Sequence, residues 1–159
     1  MGFFDFFRSR SNPPRSSEAA NTVEQIASAL LVNAIALAKP LLDDKVRRWD
    51  IKDPYLLLTL GYISGFIDAS YQFTAPRKYD ENYVNRLFLN AIETNLGEID
   101  GSSEYLDISR IVASAGGSFI SGLQKEAAFM RGTMAGGNDF VSFARSKRPP
   151  LSLASLLSE

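Results

Sequence analysis

The chain has 159 residues, the size of one domain with a core of its own, and its 45% hydrophobic and 22% charged residues are the ordinary globular mix. It contains no cysteine and no histidine, which excludes disulfides, thiolate nucleophiles, Ser-His-Asp and Cys-His catalysis, thiolate or imidazole metal sites, and an imidazole pH switch. The net charge of −1 is unevenly placed: residues 1–15 and 145–159 carry six basic and two acidic side chains, and residues 16–144 carry eleven basic and sixteen acidic. Charged exposed ends explain this pattern first, and attraction to phosphates or a membrane surface second. A catalyst made from this chain has only carboxylates, lysine, tyrosine and serine to work with, so the expectation is a protein that is not an enzyme.

The first stretch, GFFDFFR at residues 2–8, places Phe3, Phe4, Phe6 and Phe7 within five positions. As a helix these four cover roughly 160° of the circumference, with Asp5, Arg8 and Ser9 opposite. A segment this short is not stable alone and becomes ordered by docking. Phe3, Phe4, Phe6, Phe7, Arg8 and Arg10 are the expected partner-binding residues. Docking on the chain's own domain or a sister subunit ranks first and a different protein second. A membrane interface ranks third, since one short arm with three arginines anchors only marginally. Gly2 does not fit the myristoylation pattern, which wants Ser or Thr where Phe6 stands. Residues 9–17, SRSNPPRSS, read as a linker because Pro13-Pro14 cannot enter a helix interior. Residues 1–16 are therefore an arm and its tether.

Arg8, Arg10 and Arg15 ahead of the apolar run 26–38, which ends Ala36-Leu37-Ala38, mimic a signal peptide. Glu18, Glu24 and Asn33 and an n-region of twenty-five residues argue against one, and a cytoplasmic location is expected. No uncharged stretch reaches the ~18 residues of a membrane span; residues 26–38, 54–67 and 111–124 are each 13 or 14 long.

The first helix has Thr22 and Gln25 at capping-box spacing, although it is able to start near Ser17. Val23, Ala27, Leu30, Ala34, Leu37 and Leu41 form its expected seam, Pro40 is expected to kink it, and it should end near Trp49. A second helix begins with Asp53 as N-cap and Pro54 at the first helical position, and ends before Pro76. Along it Gly61, Ser64, Gly65 and Asp68 form a strip of small residues ending in an acid. The third helix has an Asp80 N-cap inside a Tyr79–Val84 staple, an apolar face of Val84, Leu87, Phe88, Ala91 and Ile92, and a stop at Gly97.

Next comes LGEIDGSSEYLD, which resembles a calcium loop: Glu98, Asp100, Ser102, Glu104 and Asp107 fall at ligand positions. Leu96, however, occupies the first ligand position and Ser103 the expected apolar one, so an acidic connector is the better reading. A fourth helix is expected from about Ser103 to Arg131, bent at Gly116-Gly117. Its strip of Ala113, Gly117 and Ser121 matches that of the second helix, so these two should cross closely. Asp68 would then pair with Arg110 or Lys125, a structural role preferred over acid catalysis. Gly136-Gly137 should break the chain before a short fifth helix from Asn138 through Phe143. None of the glycine groups follows a strand or forms G-x-x-x-x-G-K-[ST], so a phosphate loop has no support. ARSKRPP at 144–150 lacks interleaved aromatics, a poor match to nucleic acid. Residues 147–159 are expected to be a flexible tail.

No strand pair or βαβ alternation is present, and the expectation is an all-α, single-domain bundle of four to five helices over residues 17–146. The expected function is non-enzymatic protein–protein contact, as an adaptor, inhibitor, immunity-type or chaperone-type factor. Recruitment to a membrane by the Phe/Arg arm is the alternative. A carboxylate-based enzyme or metal binder using Asp68 or the 98–107 loop ranks last. No residue pattern indicates a cofactor or a small-molecule substrate.

Overall fold

The computed structural model describes residues 17–46, 52–74, 80–96, 122–148 and 152–159. Among them are five helices and no strand: α1 (Ser17–Lys45), α2 (Pro54–Thr74), α3 (Glu81–Leu96), α4 (Ala127–Ser146) and α5 (Ser152–Ser158). The protein is an all-α bundle.

α2 is its centre. Asp53 caps it as expected, its Oδ1 accepting the backbone N–H of Tyr55 at 2.8 Å and of Leu56 at 3.0 Å. Every residue from Leu56 to Tyr71 is buried, so other parts of the chain must cover nearly all of this helix. α4 lies along it most extensively, α1 and α3 pack against other sides, and α5 closes against α1 and α4.

The expected close crossing at Gly61 and Gly65 is present, and it is made with α4. A Cβ added at Gly61 would collide with the Phe129 carbonyl, and one at Gly65 with the Thr133 carbonyl. The relation is reciprocal: a Cβ at Gly132 would strike the Leu58 carbonyl and one at Gly136 the Tyr62 carbonyl. Two small-x-x-x-small strips thus face each other with the backbones in contact. The strip of Ala113, Gly117 and Ser121 lies outside the described residues. Beyond the glycines, the Phe140 ring meets those of Phe66 and Phe73 edge-on, with centroids 5.4 and 5.8 Å apart.

Three expectations are corrected. α4 runs through Gly136-Gly137 without a break, because both glycines are buried, Gly136 directly against the α2 backbone, and that packing outweighs their low helix propensity. It begins at Ala127 after a turn at 124–126, rather than ending near Arg131. Residues 152–158 form a helix with Leu153 and Leu157 buried, in place of a flexible tail. Pro149-Pro150 is followed by leucines at i and i+4, enough to dock one short turn of helix on a core already built.

α1 also differs from its reading. Its core face is Ala27, Leu31, Ala34, Ile35, Ala38 and Leu42, while Leu37 is 60% exposed. It continues past Pro40, which sits on the exposed side, where the Ala36 carbonyl that loses its amide partner is able to meet water. The stretch Gln25–Lys45 is long and apolar enough to cross a membrane by length and composition, and a third of it is buried in the bundle. α3 carries its expected face, with Val84, Phe88 and Ile92 buried, and Asp80 Oδ1 accepts the Tyr83 N–H at 3.3 Å.

Candidate functional site

α1 and α3 both rest on α2 but touch each other little. Between them a cleft of about 380 Å³ opens onto α2, within the size range of ligand and peptide sites. Phe66, Ile67 and Tyr71 lie along its α2 side, Leu31 and Val32 on the α1 side, and Leu87 and Ala91 on the α3 side. Gln25, Ser28, Ser70 and Asn90 add polar groups among them. Ser70 is already committed, donating to the Ile67 carbonyl at 2.8 Å. Tyr71 stacks at a tilt on Tyr83, with centroids 5.4 Å apart, which holds the α3 side against α2. Among the described residues, no charged side chain lines the cleft. It is suited to a mostly apolar guest with a few hydrogen-bonding groups at its edge.

The cleft continues onto an unusually apolar outer surface of α1. From Gln25 to Ala38 that helix has no charged residue at all, and Ile26, Val32 and Leu37 are each 40% exposed or more.

Asp68, the acid singled out by sequence, is buried and accepts from Gln72 Nε2 at 2.7 Å one turn further on. It is not among the residues lining the cleft. Arg110 lies outside the described residues, and Lys125 is exposed. The connector 98–107 and the arm residues Phe3, Phe4, Phe6, Phe7, Arg8 and Arg10 also lie outside the described residues. Among the described residues, no group of acidic side chains is placed to hold a metal ion.

A second polar cluster was not foreseen. Asp139 Oδ2 on α4 accepts the Tyr62 phenol at 2.6 Å, the Ser152 N–H at 3.3 Å and the Ser152 hydroxyl. Burial above all, then the hydrogen bond and charge of Asp139, push the Tyr62 phenol above its ordinary pKa. It therefore stays protonated and acts as a donor. One carboxylate so ties α2, α4 and the start of α5 together. The cluster is a structural latch.

The cleft residues escaped the sequence reading. One signal was there: the uncharged run 25–38 is longer than one buried helix face requires. No local signal announces the latch, because Tyr62 and Asp139 are 77 residues apart. No family model, curated protein or solved structure matches this chain.

Proposed function

We propose that the protein works without catalysis, through protein–protein contact, as an adaptor, inhibitor, immunity-type or chaperone-type helical factor. The cleft carries this reading: apolar over most of its lining, polar in places, open between α1 and α3, and without charge among the described residues. That is the character of a groove receiving the apolar face of an amphipathic helix. The Phe-rich arm is the complementary half of the proposal, with Phe3, Phe4, Phe6 and Phe7 as anchors and Arg8 and Arg10 at its edge.

The reading is tested by affinity capture with three full-length proteins: wild type, Phe3→Ser/Phe7→Ser, and Arg8→Gln/Arg10→Gln. A partner retained by wild type and by the arginine variant, but lost from the phenylalanine variant, is the expected result. Co-sedimentation with anionic phosphatidylserine vesicles runs alongside. If vesicles are bound and the arginine changes are the more damaging, membrane recruitment replaces this function.

A further inference from the structure

We infer that the α1–α3 cleft has an occupant within this chain: residues 2–8, docked as a short helix with Phe3, Phe6 and Phe7 inward. The inference rests on reading the cleft as a helix-in-groove site, and three observations carry it.

The first is reach. α1 starts at Ser17, and the cleft lines its α1 side with Gln25, Ala27, Ser28, Leu31 and Val32. Ser28 is eleven residues along that helix, about 16 Å above its start at 1.5 Å per residue. The eight linker residues 9–16 include Pro13-Pro14; at about 3.1 Å per residue they span roughly 25 Å. A linker turning back at Ser17 therefore delivers the arm alongside the cleft, with length to spare.

The second is anchor spacing. Helix-in-groove recognition uses apolar side chains at i, i+3 and i+4. Phe3, Phe6 and Phe7 have this spacing, and the cleft offers Leu31, Ile67, Tyr71, Leu87 and Ala91 to receive them.

The third is charge. From Ser17 to Ala38 the only charged residues of α1 are Glu18 and Glu24. Residues 1–16 carry Arg8, Arg10 and Arg15 against the single Asp5. The basic arm and the acidic first turns of α1 are thus of opposite sign in sequence, while the described lining of the cleft is uncharged and suits the arm's apolar face.

A partner helix then competes with the arm for the same cleft. The same exchange frees the phenylalanines for a groove on the partner.

The absence of cysteine permits a direct test on the full chain. A nitroxide is attached at Ser9→Cys, on the side of the arm opposite the phenylalanines, and paramagnetic broadening of amide signals is read along the protein. The expected broadening is concentrated at residues 25–32, 66–71 and 87–91. Adding Phe3→Ser/Phe7→Ser to the labelled chain lowers the docked-to-free ratio by roughly a hundredfold, which abolishes the broadening. Amide positions on α4 should stay unchanged in that variant, showing that it is folded. A mixture of isotope-labelled chains without nitroxide and unlabelled chains with it separates the two sources of the arm. Broadening in the mixture assigns the cleft to a second copy and overturns the inference, as does broadening centred elsewhere or none at all. The failure of the function is distinct. A docked arm with no capturable partner sinks the proposed function alone. An empty cleft whose captured partner is lost on Val32→Glu sinks only this inference.

Discussion

The two sides of α2 are built on opposite plans. On the α4 side, Gly61, Gly65, Gly132 and Gly136 bring two backbones into contact, and nothing larger than hydrogen fits between them. On the α1–α3 side, medium-sized apolar chains stop short of one another and leave a cleft. Backbone atoms cannot yield as side chains do, so the first side admits one register and tolerates no added atom. The second side has slack, and slack next to apolar lining is where a guest gains by binding. One helix therefore has two unlike faces: its glycine face specifies the fold, and its Ile67–Tyr71 face lines the cleft.

Substitutions break or sharpen this contrast in a definite order. The largest effect is expected from Gly65→Leu, which drives a side chain into the Thr133 carbonyl and should cost well over about 1 kcal/mol in a urea melt. Gly122→Ala is the control; nothing lies within 4 Å of its added methyl, so the change should stay within about 0.5 kcal/mol. An unaltered melt for Gly65→Leu would show that the crossing is not close.

Next is Tyr62→Phe, which removes the latch donor and should cost about 1–2 kcal/mol at pH 8. The phenol's pKa is raised in the fold, so its contribution is complete below the unfolded value near 10. It drains away as pH climbs beyond about 10 and the unfolded chain begins to ionise. The gap between wild type and Tyr62→Phe should narrow between pH 8 and 11, and a gap that widens would contradict the assignment.

Lys147 ends α4 in the left-handed conformation, φ 57°, with its N–H donating to the Phe143 carbonyl at 2.8 Å. Lys147→Gly relieves that backbone cost but forfeits the ammonium's place over the Phe143 ring, 5.3 Å from its centroid. A net gain of about 0.5 kcal/mol is expected in thermal melts. Smallest is Val32→Glu at the cleft. Its side is already 40% exposed, so stability should move by less than about 0.5 kcal/mol even as guest binding is lost.

The features legible in sequence were those written locally. The Asp53 and Asp80 caps and the face of α3 each follow from residues within a few positions of one another, and so does the smallness of Gly61 and Gly65. What was misread depended on a partner distant in the chain. Gly136-Gly137 looks like a break until α2 is set against it. The leucines of α5 look uncommitted until a finished core offers them a seat. The seam of α1 was placed partly on Leu37 because Gln25 to Ala38 has no charge to mark an outer face, and the choice among apolar stripes fell to packing. The cleft belongs to the same class, since it is a space defined by three helices and by no residue of its own.

The glycine crossing also sets an order of events in folding. Its two halves are about seventy residues apart, and the latch joins Tyr62 to Asp139 across 77. Contacts of such long range form late, since the intervening loop must close before they reward it. During synthesis at roughly 5–20 residues per second, α2 waits on the order of three to fifteen seconds for α4. Through that interval its most apolar turns, Leu56 to Leu60, lack their closest neighbour, and a backbone groove made for another helix stands open to whichever helix arrives first. Slowing translation between residues 74 and 127 should therefore raise the aggregated fraction without changing the stability of the finished protein.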